Sequence, residues 1–172
     1  MRRHKLSLLV AMCVACVCLV AAPAQTGRQF VDEGGKYKIT LAAGWEPVTY
    51  TDAVGRRKTE FVYGVRSEGM LRVSRERLDR RPLADIIWKE MRDLRLCQPK
   101  VDVAGDEAFE GGMLAGRRVS FCYVEGGRWV AATYYFLEDL DAVWILRFTG
   151  RMGSLDTNRG ETDLMARSFC PF

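Results

Sequence analysis

The stretch from Gly116 to Gly150, GRRVSFCYVEGGRWVAATYYFLEDLDAVWILRFTG, constrains the fold more than any other part of the chain. It predicts three strands, Arg118 to Val124, Arg128 to Leu137 and Ala142 to Thr149, joined by two tight turns. Gly126-Gly127 supplies the first turn, because a two-residue hairpin loop needs positive φ. Glu138-Asp139-Leu140-Asp141 supplies the second. Side chains alternate along a strand, so Trp129, Ala131, Thr133 and Tyr135 point one way and Val130, Ala132, Tyr134 and Phe136 the other. Both sets are mostly apolar, and a sheet apolar on both faces needs a layer on each.

The rest of the chain supplies candidate layers. Tyr37, Ile39 and Leu41 alternate with Lys38 and Thr40 as a first strand, and Trp45, after Ala42-Ala43-Gly44, is expected to plug one end of the core. Thr51 to Lys58 reads as a polar connection. Thr59 to Arg66 and Met70 to Arg77 form a hairpin turning at Ser67-Glu68-Gly69. Pro82 to Leu96 is the clearest helix: Leu83, Ile86, Ile87, Met91 and Leu94 make one apolar stripe, with Trp88 at its margin. Pro82 suits the first helical position, and Gln98-Pro99 ends the helix. A weak strand follows over Lys100 to Glu110. A second helix is expected over Asn158 to Ser168, with Asn158 and Glu161 as a capping pair, Leu164 and Met165 facing inward, and Phe169 and Phe172 tucked against the sheet.

The amino terminus is of another kind. Arg2, Arg3 and Lys5 precede an apolar run from Leu6 to Ala21, and Ala22-Pro23-Ala24 fits an export cleavage site before Gln25. The run is shorter than the ~20 residues of a spanning helix, so residues 1–24 are expected to be a cleaved signal peptide and 25–172 one secreted or periplasmic domain. An uncleaved anchor and acylation at Cys16 are the other readings. Loss of the segment leaves 23 basic against 22 acidic residues and no histidine, since the only one is His4. A nearly neutral chain is a poor general nucleic-acid binder.

Without histidine the domain cannot build a Ser-His-Asp or Cys-His centre, and it has no G-x-S-x-G elbow, phosphate-binding loop or dinucleotide fingerprint. No catalytic residue, metal or cofactor is assigned. Zinc would need four soft ligands, and the domain offers only Cys97, Cys122 and Cys170. In an oxidising compartment the expected bridge is Cys97 to Cys170 with Cys122 buried and reduced; the alternative is that all three are core fillers. Carboxylates around Asp102 to Glu110 and at the Glu138 to Asp141 turn do not match a calcium loop.

The one charged feature is basic. From Arg56 to Arg81 nine Lys or Arg face four Asp or Glu, and Arg66, Arg72, Arg75 and Arg77 decorate the hairpin. They are the candidate partner-binding residues, for an acidic protein surface or for peripheral contact with lipid headgroups. The competing reading is a solvated sheet edge kept charged against aggregation.

The opening FVDEGGKYKITLAAGWEPV, Phe30 to Val48, resembles the start of PsbP-like domains, a short strand followed by Gly-Trp after a small or Pro-rich turn. The hairpin, the helix opening on Pro-Leu-Ala-Asp, the antiparallel meander and a last helix ending Arg167-Ser168-Phe169 continue the resemblance over nearly the whole domain. The resemblance implies an α+β fold, an antiparallel β-sheet flanked by helices on both faces as an α/β/α sandwich. It also implies an extracytoplasmic accessory, assembly or binding role, the family including extrinsic photosystem subunits. The resulting expectation is a monomeric, non-catalytic module docking on an envelope protein. The alternative is a carrier of a small apolar ligand between the sheet and helix Pro82 to Leu96.

Overall fold

A computed structural model describes residues 27–172 except 99 and 158; the expected signal peptide and the Asn158 cap lie outside the described residues. Among the described residues ten strands and three helices follow in the order β1 (Arg28–Val31), β2 (Tyr37–Leu41), β3 (Trp45–Thr51), β4 (Arg57–Tyr63), β5 (Gly69–Arg77), α1 (Leu83–Cys97), β6 (Val101–Gly111), β7 (Leu114–Glu125), β8 (Arg128–Asp139), β9 (Ala142–Arg151), α2 (Ser154–Thr157), α3 (Arg159–Ser168) and β10 (Cys170–Pro171). Seven strands form the main sheet in the order β3-β4-β5-β9-β8-β7-β6, and β1-β2-β10 form a smaller one. All pairings are antiparallel.

The meander read from the sequence is the centre of this sheet. β7, β8 and β9 pair in register through Gly126-Gly127, both at positive φ, and through the Leu140-Asp141 turn. β6 adds a fourth strand with a bulge between Val103 and Gly105. The supposed polar connection shrinks to Asp52–Arg56, where the Asp52 carboxylate accepts the Val54 and Arg56 N–H groups at 3.0 and 2.8 Å.

After β5 the chain crosses the sheet as α1 to reach the far edge at β6. Pro82 is the N-cap rather than the first helical residue, Asp85 sits in the first turn, and Arg95 in the last, each matching the helix dipole. Ile86 and Met91 are buried among Val119, Phe121, Ala132, Tyr134, Phe136, Val143 and Ile145. Burying two such side chains contributes about 3–6 kcal/mol. Trp88 and Leu96 face solvent.

The opposite face gathers a second cluster. Phe61, Leu71, Tyr135, Leu137, Leu146 and Phe148 pack with Tyr37, Ile39 and Leu41 of β2, Leu155 of α2, and Met165 and Ala166 of α3. Trp45 opens β3 and packs edge-on against Phe148 at 5.7 Å. The simple α/β/α sandwich therefore changes here: the small sheet is a large part of this layer, because β2 brings three alternating apolar side chains to it. Phe169 is buried in it, but Phe172 is exposed, with Lys38 Nζ 5.8 Å from its ring centre. Leu164 is exposed as well, since the inward positions of α3 are Thr162, Met165 and Ala166.

Cys97 and Cys170 are unbridged. Cys97 ends α1 four residues before β6 begins, whereas Cys170 Sγ lies 3.5 Å from Met113 Sδ in the turn after β6 ends. The length of β6, about 33 Å by its residue rise, separates those two ends, and a disulfide needs Cα atoms within about 7 Å. Cys97 is exposed at the surface, and Cys122 lies within β7.

Candidate binding groove

Directly opposed residues of antiparallel strands share a face, so the pairing registers define what lines each side of the sheet. On the α1 side, one row crosses four strands: Glu60 opposite Arg72, Arg72 opposite Arg147, and Arg147 opposite Tyr134. The next row is Val62, Met70, Thr149 and Ala132, and the one beyond ends in Arg151 and Val130, with Tyr123 opposite Val130. α1 does not reach this end of the sheet, and an open groove of about 1010 Å³ remains there. Its walls are the Arg66-Ser67-Glu68 turn on one side and Glu125, Arg128 and Trp129 of the β7–β8 hairpin on the other, with Met152 at its end.

The expected arginine patch divides between the two faces. Arg66 and Arg72 line the groove. Arg75 and Arg77, an odd number of residues along the same strand from Arg72, belong to the opposite face, where Arg75 lies over Trp144 at 5.7 Å and pairs with Asp141 at 3.4 Å. Arg77 borders a separate shallow depression with Leu78, Pro82 and Leu140. Strand alternation therefore separates residues that are close in sequence.

Five arginines line the groove, Arg66, Arg72, Arg128, Arg147 and Arg151, against Glu68 and Glu125. Three are held by carboxylates. Arg147 forks onto Glu90 of α1 through Nε at 2.6 Å and Nη2 at 2.9 Å, and its Nη1 donates to Ser74 at 2.5 Å. Arg72 Nε donates to Glu60 at 2.6 Å, and Arg66 Nη2 lies 3.2 Å from the other Glu60 oxygen. Among the described residues the guanidinium groups of Arg128 and Arg151 have no ion-pair partner. Burial raises the phenol pKa of Tyr134, which Arg147 only partly offsets, and burial likewise raises that of Tyr123. Both hydroxyls therefore remain neutral donors.

Arg128, Arg147, Arg151, Tyr123 and Tyr134 were not expected at a site. They lie some fifty to eighty residues from the Arg66 to Arg77 hairpin, and only the β5–β9 pairing brings the groups together. Arg147 carried a signal: it is the one charged residue inside the apolar strand AVWILRFTG.

A second polar cluster lies across the sheet. Arg118 Nη1 donates to both Asp163 oxygens at 2.7 and 2.6 Å, and Nη2 to Glu107 at 2.6 Å. Tyr135 donates to Asp163 at 2.5 Å and shares a hydrogen bond with Thr162. Burial and the bond to Asp163 raise the Tyr135 pKa. This cluster ties α3 to β7 and β8. Among the described residues no three His, Cys, Asp or Glu gather as metal ligands, and no helix is long and apolar enough to cross a membrane.

Solved structures share this architecture at low sequence identity. The solution structure of the cyanobacterial PsbP from Synechocystis sp. PCC 6803 is similar with a TM-score of 0.63 at 13% identity, over 88% of this chain and 96% of that one. The Saccharomyces cerevisiae Ran-binding protein Mog1p is similar at 0.60 and 11%, over 86% and 96%. LpqN, involved in cell envelope biogenesis of Mycobacterium tuberculosis, is similar at 0.54 and 13%, over 87% of each chain. No family model matches the sequence, and no curated protein does. The fold is PsbP-like, with mostly antiparallel sheet.

Proposed function

We propose that the protein is an exported, non-catalytic accessory module that docks an acidic partner of the cell envelope in the groove on the α1 side of its sheet. The observation that carries this reading is the pair Arg128 and Arg151, two guanidinium groups on a concave surface with no ion-pair partner among the described residues. Charge left uncompensated in a groove steers and orients an oppositely charged partner more than it stabilises the fold. A binding role on this fold is supported by its similarity to Mog1p, a Ran-binding protein, and to LpqN, involved in cell envelope biogenesis. The apolar-carrier reading puts a ligand beneath α1, where Ile86 and Met91 instead pack directly into the sheet cluster.

The test uses the split of the arginines between faces. The tagged protein is incubated with envelope extract from its own cells, beside an Arg128→Glu/Arg151→Glu variant and an Arg75→Glu/Arg77→Glu variant. Loss of captured protein in the first variant alone is the expected result. Loss in the second alone, or in neither, rejects the groove as the docking surface.

A further inference from the structure

The inner end of the groove is built around a carboxylate that the fold has little reason to bury. Glu60 is 2% exposed, and its two oxygens meet Tyr50 Oη at 3.0 Å, Arg72 Nε at 2.6 Å and Arg66 Nη2 at 3.2 Å. Desolvating a carboxylate costs several kcal/mol, and arginines more than half exposed return only part of that. Arg72 also stands directly opposite Arg147, an arrangement of like charges that opposes strand pairing. What the arrangement does produce is orientation. Glu60 takes the Nε of Arg72, and among the described residues the terminal Nη groups of Arg72 have no partner.

A second observation points the same way. Tyr134 ends this row, is 6% exposed and lines the groove, yet among the described residues its hydroxyl makes no hydrogen bond. The hydroxyl opens onto the groove, where a ligand atom can take the place of water. The free groups here, Arg72 Nη and Tyr134 Oη, include strong donors facing a common space. A group that only accepts, an oxyanion, satisfies them.

Resting on the groove reading, we infer that this row is the anchor for one carboxylate of an extended acidic segment of a protein partner, with Glu60 as the positioning residue for Arg66 and Arg72. The segment lies along the strands, because the unpaired Arg151 stands two rows further on, opposite Val130, and Arg128 one row beyond it. Two rows are four residues of strand, about 14 Å. A partner strand with acidic residues four apart spans the two ends, and the residue midway between them, on the same face by alternation, meets Met70 and Val130 on the floor. Inorganic phosphate and lipid headgroups share the oxyanion chemistry but not this spacing.

The probe is the capped pentapeptide Glu-Thr-Val-Thr-Glu, with Gln-Thr-Val-Thr-Gln as its uncharged counterpart, titrated into isotopically labelled protein while the arginine Nε–H resonances are followed by NMR. The expected result is saturable movement of the Arg66 and Arg72 signals together with those of Arg128 and Arg151, at least tenfold weaker for the glutamine peptide. Tyr134→Phe should weaken the peptide at least threefold with an unchanged or higher melting temperature, which a merely structural hydroxyl would not do. Glu60→Gln should weaken it further while Arg128 and Arg151 still respond. Movement of Arg128 and Arg151 alone leaves the groove as the docking surface and overturns the anchor. No movement of any groove signal overturns both. Equal response to inorganic phosphate, or Arg72-dependent sedimentation with phosphatidylglycerol vesicles but no peptide response, overturns the peptide in favour of a small anion or a lipid headgroup.

Discussion

Replacing Arg118 by methionine separates two accounts of how the last helix is held. The guanidinium is nearly buried, donates twice to Asp163 and once to Glu107, and leaves its own Nε buried without a partner. Stranding Asp163, whose side chain is 24% exposed and keeps the Tyr135 hydrogen bond, should cost about 2–4 kcal/mol. Glu107 is half-exposed and rehydrates, so its lost pair adds little. Methionine removes the orphaned Nε and packs its thioether in the vacated space, returning about 1–2 kcal/mol. The net expectation is a loss of about 2 kcal/mol, or about 4–8 °C in melting temperature for a domain of this size.

Urea unfolding of the two proteins at neutral pH measures this as a lower midpoint with an unchanged slope. A double-mutant cycle with Asp163→Asn should return a coupling of at least about 1 kcal/mol, as expected for residues in one network. The hydrogen bond and charge of Arg118 lower the Glu107 pKa. That contribution is present above the ordinary carboxylate range and lost as pH falls through the depressed value, so the wild-type advantage should shrink in acid. A stability loss below about 0.5 kcal/mol, or a coupling near zero, would show that Met165 and Ala166 alone hold α3 and that the ion pair adds nothing net.

Three further outcomes are expected. Burial raises the pKa of Tyr37, Tyr134 and Tyr135, so their stability contribution is complete below pH 10 and falls by about 1.4 kcal/mol per pH unit for each above it; absorbance at 295 nm should show these phenols ionising only as the protein unfolds. Gly116→Ala should lower stability by at least about 3 kcal/mol in thermal melts, because a Cβ there falls on the Phe136 carbonyl in the paired strand. Cys97, exposed at the end of α1, should react with maleimide in the folded protein, and peptide mapping after mild oxidation should find no Cys97–Cys170 bridge.

The parts of the fold legible in the sequence are those where one local period dominates. The β7–β9 meander and α1 follow the period-two and helical patterns of FCYVEGGRWVAATYYF and LADIIWKEM, and the structure places both within a few residues of the expected ranges. The small sheet was harder, since β10 is two residues long and pairs with Tyr37 and Lys38 at the other end of the domain's sequence. The arginine patch was legible only in part, for a similar reason. Arg72, Arg75 and Arg77 are neighbours in sequence, but strand parity places them on two faces, and the partners that make Arg72 part of a site arrive on β9 and β8. Sequence proximity is a poor guide to a shared surface on a strand; parity and the pairing partner decide it.

The place of the groove follows from coverage. Seven strands at about 4.8 Å spacing make a face about 29 Å wide, while one helix with its side chains covers about 10–12 Å. α1 is the helix whose buried residues join the cluster on that face, and its apolar contacts reach β7, β8 and β9. The main sheet's other strands must then present to solvent what an apolar layer would otherwise cover. The sequence supplies polar groups at those positions, Glu60 on β4 and Arg72 and Ser74 on β5, and Arg147 on β9 marks the helix margin through its pair with Glu90. On the opposite face the small sheet, α2 and α3 gather a broader apolar cluster, and the buried arginine there, Arg118, is closed inside ion pairs. The uncovered part of a sheet that a single helix crosses is thus where this fold offers a concave, charged surface, and changing the groove's exposed arginines should alter binding without disturbing either core.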